Sequence, residues 1–272
     1  MSAQSITRRL TQADLARLHA AGEKVVMFTC YDASFARLLD GAGVDALLIG
    51  DSLGNVIQGH DTTLPVTVAD IAYHTAAVKR GSDRPFIIAD MPFGSYQEAP
   101  AQALRNAVTL LAAGAQMVKL EGGREMAATV DFLVSRGIPV CGHLGLTPQS
   151  VHALGGYRVQ GKGEAAAQRL KDDALALQSA GATMLVLEAI PAALAAEVTA
   201  SLAIITIGIG AGKDCSGQVM VVHDAFDIPP GKKARFVRNF MDGATSLADA
   251  AVRAVAAVRN GSYPAPEHTY IG

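Results

Sequence analysis

Acidic residues stand at the ends of four apolar segments of this chain. Segments 46–50, 85–89, 117–120 and 184–187 run into Asp51, Asp90, Glu121 and Glu188, respectively. A carboxylate that is removed from water is destabilising unless a charged or hydrogen-bonding partner compensates for it. Where several such segment ends meet, a cation is the natural partner. The pattern therefore predicts a site for metal-assisted chemistry on a carbanion.

The first three acids, Asp51, Asp90 and Glu121, follow successive apolar segments, so their oxygens can meet at one end of a sheet. Hard oxygen ligands with no Cys or paired His alongside favour Mg²⁺ over zinc. Mg²⁺ leaves positions open for a substrate, and a 2-oxo acid can fill them because its carboxylate and keto oxygens chelate together. The simpler alternative is that individual acids cap helices or pair with Arg and Lys.

Three further residues could act on a bound 2-oxo acid. Glu188 is the candidate general base that removes a proton next to the carbonyl, although it could instead cap a helix. Lys119 lies two residues before Glu121, so strand alternation places both side chains on the same face. We interpret Lys119 as the group that binds the substrate carboxylate. Alternatively, Lys119 forms a Schiff base with the substrate or serves as a counter-ion for the acids. His143 ends a fifth apolar segment and could either hydrogen-bond the substrate or be an ordinary satisfied polar group.

Alternating strand and helix patterns connect these residues. Segments rich in Val, Ile and Leu predict strands at 25–31, 46–51, 85–90, 117–121, 138–143, 183–188, 203–209 and 218–223. The intervening stretches predict helices at 34–40, 68–80, 98–113, 124–136, 164–180 and 192–200. Continuous apolar strands that alternate with helices are typical of parallel sheets covered on both faces. The strand count predicts a (β/α)₈ TIM barrel, whose active sites lie at the carboxyl ends of the strands.

A doubly wound open sheet is the second interpretation, but no glycine-rich phosphate turn follows the first strand. Residues 11–21 predict a helix that plugs the barrel bottom, and residues 246–259 predict a C-terminal helix. Residues 144–163 predict an active-site loop. The glycines of segment 208–212 either bind phosphate or form a tight turn. We expect residues 1–272 to form a single barrel domain.

Composition and charge argue against several classes of protein. The 272-residue chain is 50% hydrophobic with a formal net charge of −2, and it contains no long basic block that would bind nucleic acid or an anionic membrane. No apolar stretch is long enough to cross a bilayer. Three widely spaced cysteines do not suggest a disulfide framework or a Cys-rich zinc site. We expect a cytoplasmic enzyme that acts on small molecules.

Longer blocks of the sequence resemble one enzyme family. They are Tyr31-Asp32, Gly50-Asp51-Ser52-Leu53-Gly54, Gln58-Gly59-His60-Asp61, Met117-Val118-Lys119-Leu120-Glu121-Gly122-Gly123, Cys141-Gly142-His143-Leu144-Gly145-Leu146-Thr147-Pro148-Gln149, Gly155-Gly156-Tyr157 and Gly208-Ile209-Gly210-Ala211-Gly212. At these residues the chain is similar to the ketopantoate hydroxymethyltransferases, and the likeness extends from Thr29 to the Glu267-His268 tail. One departure is Ser216, where the family more often has Asp, and it bears on loop structure or folate affinity.

The resemblance implies a barrel of the phosphoenolpyruvate/pyruvate type and a set of site residues. It implies Mg²⁺, one ion per subunit, at Asp51, Asp90 and Glu121; substrate binding by Asp51, Ser52, Asp90, Lys119 and His143; and proton abstraction by the catalytic Glu188. The implied reaction adds a one-carbon unit to the enolate of Mg²⁺-bound 3-methyl-2-oxobutanoate and gives 2-dehydropantoate. The one-carbon unit comes from the co-substrate 5,10-methylenetetrahydrofolate. This reaction is the first step of pantothenate biosynthesis. The resemblance also implies a homo-oligomer, a decamer.

Two rival functions remain open. One is a Mg²⁺ barrel that acts on phosphoenolpyruvate or breaks a C–C bond, as phosphonopyruvate mutase and isocitrate lyase relatives do. Lyases of that kind carry a Cys in a Lys-Lys-Cys-Gly-His type loop, which this chain lacks. The other is a non-catalytic barrel, whose signature would be the loss of Glu188 or of a metal acid. Neither residue type is lost.

Overall fold

Eight parallel strands form a closed barrel in the computed structural model, which describes residues 8–228, 231 and 233–271. The strands are β1 (Val25–Thr29), β2 (Ala46–Ile49), β3 (Phe86–Asp90), β4 (Met117–Glu121), β5 (Val140–Gly145), β6 (Met184–Glu188), β7 (Ile205–Ile209) and β8 (Gly217–Met220). Neighbours in sequence pair with each other, and β8 closes the barrel on β1 with Gly217 opposite Val25. The predicted (β/α)₈ barrel is confirmed, and each predicted strand is present with shifted ends.

Helices surround the barrel and connect most of its strands. They are α1 (Gln12–Ala20), α2 (Ala33–Gly41), α3 (Leu53–Val56), α4 (Val68–Gly81), α5 (Pro100–Ala113), α6 (Ala127–Val134), α7 (Val151–Leu154), α8 (Glu164–Ser179), α9 (Ala192–Ser201), α10 (Val222–Ala225) and α11 (Leu247–Arg259). Short 3₁₀ turns cover Arg124–Met126, Pro148–Ser150 and Pro266–His268. Helices α3, α7 and α10 were not predicted, because four residues are too few to show a helical period.

Side-chain alternation divides the core into two layers. Residues such as Met27, Ile88 and Ile207 point into the barrel, whereas the residues between them pack against the outer helices. Leu15 of α1 is 0% exposed and belongs to the inner layer, with Leu10 and Leu18 packed against it. The predicted plug at the barrel bottom is therefore confirmed.

Local sequence sets the ends of the helices. Capping boxes formed by Thr11 with Asp14 and by Thr67 with Asp70 satisfy the first N–H groups of α1 and α4. Glycines in the left-handed region follow α2, α5, α6 and α8, namely Gly43, Gly114, Gly137 and Gly181. These signals explain why the predicted helix bounds lie close to the observed ones.

The return from β7 to β8 contains no helix. A side chain at Gly217 would place its Cβ 2.3 Å from the Val25 carbonyl oxygen, and one at Gly212 would place its Cβ 2.7 Å from Ala192 Cβ. Close packing thus accounts for Gly212 and Gly217. Ser216 lies at the amino end of β8, where its N–H donates to Thr206 Oγ1 over 3.1 Å. The departure at Ser216 therefore lies in this turn.

None of the described helices combines the length and the apolarity needed to span a lipid bilayer. Residues 1–7, 229, 230, 232 and 272 of the expected domain lie outside the described residues.

Candidate active site

A cavity of about 680 Å³ opens at the carboxyl ends of the strands. Its wall includes each predicted site residue: Asp51, Ser52, Asp90, Lys119, Glu121, His143 and Glu188. Strand register explains the convergence, because Asp90 lies opposite Lys119 and Glu121 lies opposite His143. A pocket of this size suits a small organic ligand with room for a second molecule.

Gly145 lets β5 and β6 come together beneath Glu188. It pairs in register with Glu188, and a Cβ there would lie 2.2 Å from the Glu188 carbonyl oxygen. Its φ of +93° also disfavours any other residue. Glu188 itself contacts His143 rather than capping α9, whose N-cap is Pro191. The helix-cap alternative for Glu188 is therefore wrong.

A chain of charged contacts crosses the floor of the cavity. Lys119 Nζ lies 2.9 Å from Asp90 Oδ1 and 3.3 Å from His143 Nδ1. His143 Nδ1 also lies 3.3 Å from Glu121 Oε1, and its Nε2 lies 3.2 Å from Glu188 Oε2 without hydrogen-bond alignment. His143 thus contacts both Glu188, the candidate base, and Glu121, at the end of β4.

Electrostatics in this buried cluster favour an added cation. Burial raises the pKa of Asp51 to about 8, and the carboxylates of Asp90 and Glu121 add to the rise. Burial also raises the pKa of Asp90, although Lys119 opposes it. Burial and Lys119 lower the pKa of His143, but contacts with Glu121 and Glu188 outweigh them and raise it to about 9. The acids therefore outnumber their cationic partners.

Lys119 is held in its charged form by these neighbours. Burial lowers the pKa of this ammonium, but Asp90, Glu121 and Asp51 together raise it above its ordinary value. A Schiff base requires a neutral amine, so this environment disfavours that alternative. A permanent ammonium at this position suits the binding of a substrate carboxylate.

Gln149 organises the acids, a role that was not predicted from the sequence. Its Nε2 donates to Asp51 Oδ2 over 2.9 Å and to the Met91 carbonyl over 3.0 Å. Its Oε1 accepts from the Tyr96 hydroxyl over 2.7 Å, and its backbone N–H donates to Glu121 Oε2 over 3.0 Å. The only signal for Gln149 was its place in the Thr147-Pro148-Gln149 block of the predicted active-site loop.

Ser52 lies at the rim of the acidic cluster. The Ser52 and Tyr31 hydroxyls lie 2.8 Å apart, which fixes the orientation of the Ser52 side chain. Gly50 leaves space beside Ser52 and Asp90, since a Cβ there would lie 2.7 Å from Ser52 Oγ and 3.6 Å from Asp90 Oδ2. A substrate oxygen can therefore approach Asp51 and Asp90 from this side.

The fit of a metal ion is best at Asp51 and Asp90. Asp90 Oδ1 is buried with no aligned hydrogen-bond donor, although Lys119 Nζ lies 2.9 Å from it, and the Asp51 N–H donates to Asp90 Oδ2 over 3.0 Å, so the two residues are adjacent. Within the described part of the chain, no three His, Cys, Asp or Glu side chains already have the arrangement of a metal site. Glu121 is engaged by His143 and Gln149. Mg²⁺ commonly uses one or two carboxylates and several waters, so this donor set suits it.

The backbone next to Glu188 is strained. Ala189 is a non-glycine residue with φ of +46°, in the left-handed region. Its N–H donates to the Ile209 carbonyl over 2.8 Å, and its own carbonyl accepts from the Gln160 N–H over 2.9 Å. These bonds tie Glu188 to β7 and to the active-site loop.

Comparison with known proteins places the chain in a family. A sequence profile of the ketopantoate hydroxymethyltransferases matches residues 9–266. The chain belongs to this family. A relative from Dechloromonas aromatica (strain RCB), 3-methyl-2-oxobutanoate hydroxymethyltransferase, is 83% identical over 99% of both chains. An enzyme of the same name from Aromatoleum aromaticum is 65% identical over 96% of this chain and 97% of the relative. The resemblance predicted from the motifs is confirmed.

Solved structures at low identity share the fold of this ketopantoate hydroxymethyltransferase family member. A phosphoenolpyruvate phosphomutase from Streptomyces platensis subsp. rosaceus has a TM-score of 0.60 at 14% identity, covering 79% of this chain and 82% of that one. A 2,3-dimethylmalate lyase of the PEP mutase/isocitrate lyase superfamily has a TM-score of 0.56 at 19% identity, covering 78% and 81%. These likenesses show the barrel fold and nothing about the reaction.

Proposed function

We propose that this protein is a Mg²⁺-dependent 3-methyl-2-oxobutanoate hydroxymethyltransferase that uses 5,10-methylenetetrahydrofolate as its one-carbon donor. The observation that supports it is the convergence of Asp51, Asp90, Lys119 and Glu188 on one cavity in a chain of this family. A 2-oxo acid needs a group for its carboxylate, polarisation of its keto oxygen and a base near C3. The cavity offers a candidate for each.

Asp51 and Asp90 would hold the metal, with Glu121 as the third predicted position. When bound, Mg²⁺ would act as a Lewis acid at the keto oxygen and so acidify the proton on C3. Lys119 and Ser52 are proposed to bind the substrate carboxylate, since both line the same part of the cavity. His143 is proposed to keep Glu188 directed toward the substrate through their 3.2 Å contact.

Glu188 is the proposed base that takes the C3 proton, leaving the enolate of 3-methyl-2-oxobutanoate. Its side chain is 15% exposed, so it can meet a substrate, whereas the His143 beneath it is 3% exposed. The enolate carbon then bonds to the methylene carbon of the folate. Water supplies the hydroxyl oxygen, the two C–N bonds of the methylene group break, and tetrahydrofolate and 2-dehydropantoate result.

Proton NMR of 3-methyl-2-oxobutanoate in D₂O tests this proposal. With enzyme and Mg²⁺, with or without tetrahydrofolate, we expect the C3 proton signal to disappear, and EDTA should abolish the loss. Glu188→Gln should slow the exchange about 10²- to 10⁴-fold, the usual contribution of a general base. Glu197→Gln is the matched control, because Glu197 lies on α9, is 59% exposed and pairs with Lys171.

The results separate the competing ideas. Retained exchange in Glu188→Gln would mean that the base is another residue. No exchange in the wild-type enzyme under any condition would refute the substrate and favour chemistry on phosphoenolpyruvate.

The family also supports proposals about the state of the protein in the cell. We propose a single domain over residues 1–272, a cytoplasmic location and a homodecamer. Multi-angle light scattering should give a mass ten times that of the chain. A monomeric or dimeric mass would refute the decamer.

A further inference from the structure

The acidic cluster occupies only one side of the cavity. The opposite wall comes from β7, β8 and the segment after them, and it is apolar at Ile209, Val219, Val221 and Phe236. A five-carbon 2-oxo acid held at Asp51 and Asp90 cannot reach across a cavity of about 680 Å³. The apolar wall is therefore available to the second substrate.

Beyond the apolar wall, His223 presents an unused polar atom. Its side chain lines the cavity and is 8% exposed, yet Nδ1 is buried without a hydrogen-bond partner among the described residues. The ring is fixed by Tyr31 and Phe35, whose centroids lie 5.5 Å and 6.0 Å away. Burial lowers the pKa of His223, so the neutral ring offers one donor and one acceptor.

Thr63 presents a second unused polar atom in the same cavity. The residue is 2% exposed, and its Oγ1 is likewise buried with no hydrogen-bond partner within the described chain. Its position is set by Gly54, since a Cβ there would lie 3.5 Å from Thr63 Cα and 2.7 Å from Val66 Cγ2. Buried hydroxyls are nearly always paired in proteins, so a ligand that supplies the partner accounts for this one.

Asp224 adds a carboxylate to this region. It follows His223 in α10, lines the cavity and is only partly exposed. Lys233 Nζ lies 3.9 Å from Asp224 Oδ1, a separation too long for a tight ion pair. The carboxylate can therefore still accept hydrogen bonds from a ligand.

We propose that His223, Asp224 and Thr63, which line the same cavity, bind the pteridine ring of the folate donor. The 2-amino group and the N3–H of a reduced pterin are adjacent donors that match one carboxylate, here Asp224. The hydroxyl of Thr63 and the imidazole of His223 serve the 4-oxo group and the ring nitrogens. This inference rests on the proposed function, since it assigns the binding residues of the proposed co-substrate.

Steady-state kinetics of Asp224→Asn tests the assignment. Loss of a charged acceptor should raise the KM for 5,10-methylenetetrahydrofolate about 10- to 100-fold. The KM for 3-methyl-2-oxobutanoate should change less than about threefold, because its site lies at the acidic cluster. Isothermal titration with tetrahydrofolate should show the same loss of affinity without turnover.

Asp227→Asn is the matched control. Asp227 lies 3.6 Å from the same Lys233 Nζ, but it does not line the cavity and its side chain is 52% exposed. Asn also tolerates the φ of +54° at this position. Both KM values should therefore match the wild type.

Further variants separate the possible outcomes. Thr63→Val and His223→Phe keep the side-chain shapes approximately, and each should raise the folate KM selectively; they replace Asp224→Asn if that variant does not fold. An unchanged folate KM in these variants, or an equal rise of both KM values, would overturn the assignment. Wild-type enzyme that releases no 2-dehydropantoate from the two substrates would instead overturn the proposed function.

Discussion

Replacing Gln149 by Leu removes the side chain that ties the active-site loop to the acidic cluster. Leu has a similar size but offers no hydrogen bond. Asp51 Oδ2 and the Met91 carbonyl lose their donors at 2.9 Å and 3.0 Å, and the Tyr96 hydroxyl loses its acceptor at 2.7 Å. Because Gln149 is 4% exposed, water cannot simply take its place.

The size of the effect follows from these three bonds. The bond to a carboxylate contributes about 1.5–3 kcal/mol, and each neutral bond contributes about 0.5–1.5 kcal/mol. We therefore expect the free energy of unfolding to fall by about 2.5–6 kcal/mol. Groups that orient a metal ligand usually change metal affinity about 10- to 100-fold, so the Mg²⁺ concentration for half-maximal activity should rise by that factor.

Two assays measure these effects separately. Urea denaturation reports the stability, and C3 proton exchange at increasing Mg²⁺ reports the metal dependence. Gln116→Leu is the control, since Gln116 lies at the opposite end of the barrel and bonds the Ile87 N–H and the Leu10 carbonyl over 3.1 Å and 2.9 Å. It should lower stability but leave the Mg²⁺ dependence unchanged. An unaltered Mg²⁺ dependence in Gln149→Leu would refute the role given to this contact with Asp51.

Three other predictions concern the metal, the barrel bottom and the thiols. Asp90→Ala should weaken Mg²⁺ and 3-methyl-2-oxobutanoate together, measured by titration calorimetry; unchanged Mg²⁺ affinity would remove Asp90 from the ligand set. Asp45, 0% exposed, accepts from the Val26 N–H over 2.9 Å and pairs with Arg259 over 2.8 Å. Asp45→Ala should lower the free energy of unfolding, measured by urea denaturation, by about 2–3 kcal/mol. This is less than the usual cost of breaking a buried ion pair, because the arginine is partly exposed. A loss under about 1 kcal/mol would contradict the prediction. Burial raises the pKa of the thiols of Cys30 and Cys141 to about 12 and that of Cys215 to about 11. A thiol reagent at pH 8 should therefore react with them only after denaturation.

Much of the fold was predictable because its signals are local. Continuous apolar strands, glycine helix ends and the capping residues each lie within a few positions of the feature they determine. The acids at the strand ends were predictable for the same reason, since the barrel brings all strand ends to one face. Their roles as metal ligands or base remain predictions.

The contacts that organise the acids could not be predicted from local patterns. Gln149 and Asp51 are 98 positions apart in the sequence, and no period or spacing connects the two residues. The roles of Tyr96 and His223 depend in the same way on which loops meet above the strands. The short α10 that carries His223 shows no amphipathic period, so no local pattern marked His223 as part of the cavity.

Closure of the barrel has a consequence for synthesis on the ribosome. β1 lies near the start of the chain, but its second neighbour, β8, follows all the other strands. The inner apolar layer, which includes Leu15 of α1, therefore stays partly exposed to water until β8 has left the exit tunnel. Contacts between such distant segments form slowly, and a nascent chain with an open sheet edge is prone to aggregate. Chaperone demand should thus be greatest just before the last strand emerges, and it should end when Gly217 meets Val25.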